Sequence, residues 1–229
     1  MRCARCLKNE ASIDFTPVVD GKPQKTVPLC EDCAQASTKI IEAIYRRVTP
    51  EEFARLQSDA KAAESFFSPK LEEELEKILA EIENAEKLPA GSQDQGSGDR
   101  LLLVGTDWHA LHFLLTGDGD LKPHPLPPPP LGNVVQGGTV TPWPCTQGQV
   151  RSLTADEVRA VADALSKISV AELRSRFSVE SFNSAQVYHP GQALWTDEDA
   201  ESVFEIYPRV VEFFQSAARD GDMILLSSV

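Results

Sequence analysis

The sequence predicts an α+β architecture in two parts. A small cysteine-bearing module of knuckle, β-hairpin, knuckle and helix comes first, and a helix-rich α+β domain closing on a C-terminal strand follows. Three observations carry this. Cys3-x-x-Cys6 and Cys30-x-x-Cys33 bracket 23 residues with strand-like composition around Asp20-Gly21. Capping signals recur before amphipathic runs from Thr49 onward. The last residues, 223 to 229 (MILLSSV), are a compact apolar run suited to a buried strand.

In the first part, residues 11 to 19 and 24 to 29 flank Asp20-Gly21, a dipeptide that favours tight hairpin turns. Two short strands bury too little to stand alone in water. Residues 34 to 45 (AQASTKIIEAIY) have helical composition, which predicts one continuous helix through Tyr45. Thr49-Pro50-Glu51-Glu52 then supplies an N-cap, a proline at the first helical position and a capping-box glutamate. Leu71, Leu75, Ile78, Leu79 and Ile82 recur at helical spacing among glutamates, so residues 70 to 88 read as an amphipathic helix. Residues 89–99 (PAGSQDQGSGD) read as a flexible insertion and residues 123–130 (PHPLPPPP) as a polyproline II stretch.

Asp107 and Gly117 bracket a short predicted helix. Thr154-x-x-Glu157, Ser169-x-x-Glu172 and Thr196-x-x-Asp199 each announce another. Pro208 is expected to kink or split the last of them, and Gly221 to end it. The domain boundaries are therefore 1–41 for the cysteine module and 42–229 for the α+β domain.

Across 229 residues, 22 basic and 35 acidic side chains leave a net charge of −13. That charge opposes docking on phosphate backbones and anionic lipid and suits a basic protein partner. Residues 1–41 carry six basic and five acidic groups, so the negative charge belongs to the remainder. No apolar run approaches the ~20 residues that cross a bilayer, and the opening residues form no secretory signal. The expectation is a cytoplasmic protein without membrane contact, in which closely spaced cysteines read as metal ligands before disulfides.

Cys3, Cys6, Cys30 and Cys33 offer the four thiolates of a tetrahedral Zn2+ site, presented by two tight turns that a hairpin brings together, as in treble-clef and zinc-ribbon modules. A closed four-thiolate set has no open coordination position, so this zinc is structural and supplies the stability that the hairpin lacks. Cys145 reads as an ordinary packed thiol. The segment Met1 to about Ser37, with Pro17-Val18-Val19 and Leu29-Cys30-Glu31-Asp32-Cys33, also resembles the N-terminal zinc modules of bacterial Clp-ATPase adaptor proteins. That resemblance implies an unidentified protein partner.

The second chemical feature is Asp107-Trp108-His109-Ala110-Leu111-His112. His109 and His112 fall on one helical face, where they could share a metal ion with Asp107 or Asp118, or form a small-molecule site. The glutamate base of a catalytic zinc helix is absent between them. Trp143, Tyr188, His189 and Trp195, read as loop residues, are candidates to line a pocket beside them. Gly137-Gly138 belongs to no phosphate-binding fingerprint, and no nucleophile elbow or kinase set is present.

From about residue 43 to 229 the chain resembles the YfbM-like family, a bacterial domain of unknown function. The resemblance rests on Ile44-Tyr45-Arg46-Arg47-Val48-Thr49-Pro50-Glu51-Glu52, on the block from Trp108 to Gly117, on Leu153-Thr154-Ala155-Asp156-Glu157-Val158, and on Arg174-Ser175-Arg176-Phe177, Asn183 and Tyr188. It implies a compact α+β domain and no reaction. The family's Met-Gly-Met-Ile-Gly opening is missing, replaced here by the helical run into Tyr45. The function expected from these features is a non-enzymatic accessory or regulatory protein, with a zinc-stabilised interaction module fused to an acidic binding domain. The alternative is a metal-dependent enzyme or small-molecule binder using Asp107, Trp108, His109, His112 and Tyr188.

Overall fold

The computed structural model describes residues 1–4, 9–16, 18–19, 22–23, 25–31, 41–67, 100–120, 125–145, 148–190 and 194–228. The helices expected after Cys33 and over 70 to 88, and the insertion at 89–99, lie outside them.

In the cysteine module, β1 (Ile13–Phe15) pairs antiparallel with β4 (Val27–Leu29), and β2 (Val18–Val19) with β3 (Lys22–Pro23). This is the hairpin that Asp20-Gly21 predicts. A bridge between Arg2 and Glu10 and the Ala4 N–H bond to the Pro28 carbonyl fold the N-terminus back onto it.

The main domain is built on a five-stranded antiparallel sheet of order β6-β5-β9-β8-β7. Its strands are β5 (Ala43–Val48), β6 (Leu101–Gly105), β7 (Thr139–Cys145), β8 (Gly148–Leu153) and β9 (Met223–Ser228). Here the expected continuous helix through Tyr45 is overturned. Residues 43 to 48 are extended, with burial on both faces, because the segment is held between β6 and β9 along its length. Helical composition yields there to two ladders of hydrogen bonds.

The sheet separates two apolar layers. Ala43, Tyr45, Leu153, Ile224 and Leu226 face the larger one. It is completed by α3 (Trp108–Thr116), α4 (Ala155–Leu165), α5 (Val170–Ser175), α6 (Val179–Ser184) and α7 (Ala200–Asp220). Val48, Val150, Met223 and Leu225 face a smaller layer under α1 (Pro50–Ser58) and α2 (Ala60–Phe66). A strand covered on both faces needs no polar alternation, which is why the C-terminal run of β9 is continuously apolar. Trp143 lies on β7, not in a loop, and packs edge-on against Phe53 on this second face, away from the histidines. Cys145 packs against the same cluster.

Capping chemistry fixes the helix starts. Thr49 and Glu52 form a reciprocal capping box on α1, and Thr154 and Glu157 do so on α4. Ser169 caps α5. Thr196 and Asp199 exchange the bonds of a capping box, yet the helix begins only at Ala200, so that pair closes the turn before α7. Four helices occupy the C-terminal half rather than three, α6 being the addition, with Ser178 at its N-cap. The helix α7 also passes through Pro208 without being split. Nine buried side chains from Ala200 to Ala217 hold it, against a proline cost of about 3 kcal/mol.

One buried ion cluster ties the sheet to its last turn. Arg47 on β5 is 6% exposed. Its Nε donates to Asp222 Oδ2 at 2.9 Å, and its Nη2 reaches both Asp222 and Asp220. Removing one partner of such a cluster strands a buried charge. Asp222→Ala is expected to lower stability by roughly 3 kcal/mol in urea titrations, whereas pairing Arg47→Met with Asp222→Leu should restore most of that loss.

Candidate functional site

Asp107 occupies the N-cap position of α3 but does not cap it. Its backbone is helical, and its carboxylate accepts a 3.0 Å hydrogen bond from Ser202 Oγ on α7. Burial raises the Asp107 carboxyl above its ordinary range, partly offset by Ser202 and by the neighbouring His189. At the other end, Gly117 adopts φ 76° and terminates the helix, the left-handed cap that glycine favours.

Seven of the nine α3 residues are buried, and both imidazoles are fully so. The Tyr188 backbone N–H donates to His109 Nδ1 at 2.7 Å. That nitrogen therefore carries the lone pair, and the neutral ring holds its proton on Nε2. Among the described residues both nitrogens of His112 lack a hydrogen-bond partner, and His109 Nε2 makes no bond of full geometry, although the Asp120 and Gly119 backbone lies near enough to favour the ring's protonated form. Burial, and next the proximity of His112, lowers His109 to about 4. Burial lowers His112 to about 4, against the pull of Asp118. Both rings are neutral at physiological pH.

The structure brings Asp107, Trp108, His109 and Tyr188 together, with His112 one turn further along α3. Trp108 stacks on Tyr188 with centroids 5.8 Å apart. Its Nε1 donates to the Ile41 carbonyl at 3.0 Å, while the Ile41 N–H donates to Tyr188 Oη at 2.9 Å. These two bonds clamp the residue that leads into β5. Among the described residues, no three histidine, cysteine, aspartate or glutamate side chains gather as metal ligands. An open recess of about 560 Å3 lies beyond the C-terminal end of α3, walled by Thr116 to Asp120, Pro127, Pro128 and Ala185; neither imidazole is part of its wall.

Two other groupings were less visible. His189 lies with Nδ1 2.9 Å from the Pro190 carbonyl and Nε2 3.4 Å from Asp199, its ring edge-on to Trp195. Asn183 holds the Trp195 main chain through both ends of its amide. Neither has a periodic or spacing signal, since the partners come from separate loops and helices.

The cysteines divide between two regions. Cys3 and Cys30, one from each C-x-x-C pair, are buried in one small cluster with Leu29. The Asn9 amide donates to Cys30 Sγ at 3.7 Å. Cys6 and Cys33 lie outside the described residues.

The profile of the Domain of unknown function (DUF1877) family matches residues 41–227. Among solved structures, the chain is similar to "a Protein of Unknown Function YfbM" from Escherichia coli, with 20% identity and a TM-score of 0.53, over 82% of this chain and 99% of that one. At that identity the likeness speaks for the fold. No curated protein matches the chain.

The buried histidines generate a pH dependence with a definite sign. Their folded-state values lie below the ordinary 6.5, so the unfolded chain binds more protons as acid is added. Stability is full above about pH 6.5 and is lost as pH falls toward 4, by on the order of 3 kcal/mol for each ring. His112→Leu, which removes two unpartnered nitrogens, should preserve or raise stability at pH 7 and flatten this loss in denaturation curves taken from pH 7 to 4.

Proposed function

The chain belongs to the DUF1877 family, a domain without an assigned reaction, and from that premise we propose a non-enzymatic accessory protein whose zinc-stabilised N-terminal module recognises another protein. The α+β domain is the acidic binding unit to which that module is joined. The observation that carries this reading is the burial of Cys3 and Cys30 in one cluster, with an amide N–H directed at the Cys30 sulfur. Thiolates on a metal are typically oriented by such second-layer donors.

The donor set fits Zn2+: Cys3 and Cys30, from separate C-x-x-C pairs, share one buried cluster, and Cys6 and Cys33 each follow three positions later in the sequence. Zinc bound there would supply the cross-link that three-residue strands cannot. A four-thiolate shell leaves no position for substrate, which favours binding over catalysis. The neutral, buried state of His109 and His112 supports the same preference, since neither ring presents a nitrogen to solvent. A net charge of −13 favours a partner with a basic surface, and among the described residues no helix is long and apolar enough to cross a membrane.

Elemental analysis of the full chain tests the reading. One zinc per chain is expected, absent from the Cys3→Ser/Cys30→Ser variant. Zinc retained by that variant would take Cys3 and Cys30 out of the ligand set and overturn the four-thiolate reading. A wild-type protein purified without zinc would remove the basis of the module.

A further inference from the structure

A cleft of about 250 Å3 runs between the cysteine hairpin and the main domain. Val27 and Leu29 of β4 form one wall, with Ala4 at its edge. The segment from Phe182 to His189 forms the other, and Leu194 stands at the mouth. We infer that this cleft is a binding site for a small uncharged molecule, largely apolar and of the size of two fused rings. The inference gives a ligand class to the binding role proposed above.

Size sets the first limit. An apolar cavity of about 150 Å3 holds benzene, so this one accommodates a fused pair of rings and is too small for a helix or strand of a partner. Polarity sets the second. Asn183 spends both ends of its amide on the Trp195 main chain. Tyr188 Oη receives the Ile41 N–H, and His189 is placed between the Pro190 carbonyl and Asp199. Among the described lining residues there is no lysine or arginine to compensate the desolvation of an anion, which would also meet Asp199 beside His189.

What the walls offer is accessible apolar surface from Val27 and Leu194 over a packed floor of Leu29, Phe182 and Val187. Phe182 is fully buried and held edge-on by Phe113, Phe177 and Trp195, so its position is fixed before a ligand arrives. Tyr188 is fixed by its stack on Trp108 and by Ile41. Side chains fixed in this way make a preformed wall, which spares the ordering cost of binding. Gln186, also on the wall, is the one non-glycine residue with positive φ (54°) among those described. Leu194, 74% exposed, gives the cleft an apolar lip.

The experiment uses the full chain as isolated, with its zinc content measured on the same sample, and 5-fluoroindole as probe followed by 19F NMR. Saturable binding at one site is expected, together with a shift of the Trp195 Nε1–H resonance, whose proton is donated to the Val187 carbonyl. Ala4→Trp, which fills the cleft from an exposed position in the N-terminal segment beside Pro28, should abolish binding. Leu194→Asp should weaken it about fivefold, the loss of about 1 kcal/mol of contact, with circular dichroism unchanged in both. Indole-3-acetate should bind at least about tenfold more weakly than the uncharged probe. Absence of saturable binding to the folded wild-type chain, or equal binding to both variants, overturns the inference. A chain without zinc that still binds the probe at this cleft sustains it and counts only against the metal reading.

Discussion

Arg47 sits on β5 with its guanidinium enclosed by Asp222 and Asp220, and through it the first strand of the main domain is locked to the turn before the last. The same two strands pair residue by residue from Ala43 with Ser228 to Val48 with Met223. Chain segments about 180 positions apart in sequence thus form the centre of the sheet, and the remaining strands add outward from them. Both cores depend on this pairing, because alternate residues of β9 feed opposite faces.

The consequence for the candidate site is direct. Ile41, two residues before β5, is gripped by Trp108 and Tyr188. The α3 helix, the Tyr188 segment and the entry from the cysteine module therefore meet at one place. His109 belongs to that junction through the Tyr188 main chain, and its burial makes it part of the packing that holds Ile41 at the entry to β5. A neutral imbedded ring accepting one backbone bond is a specific structural device, and it has a cost under acid that an apolar residue would not carry.

Much of the local structure was legible from particular residues. Thr49 with Glu52 and Thr154 with Glu157 determine helix starts by themselves, because the bonds involved span only three positions. Gly117 and Gly221 end helices for an equally local reason. The hairpin around Asp20-Gly21 and the buried strand at the C-terminus followed from turn chemistry and an apolar run. β5 was misread as helix, and β6, β7 and β8 had no periodic signal strong enough to single out. Their extended state comes from partners distant in sequence. Trp143 shows the same limit: its residue type suggested a pocket, and only the sheet decided that it faces the opposite layer from His109.

By itself the sequence determined the paired spacing of the four cysteines, the capped helices and the acidic charge, all of which are properties of neighbours along the chain or of its composition. Tertiary structure alone decided that the α3 histidines are sealed from solvent, that Asp107 serves Ser202 instead of capping its helix, and that a cleft opens between Leu29 and Phe182. These depend on surfaces from separate elements meeting at specific distances. No periodicity encodes that meeting, because it is set by how the whole sheet closes.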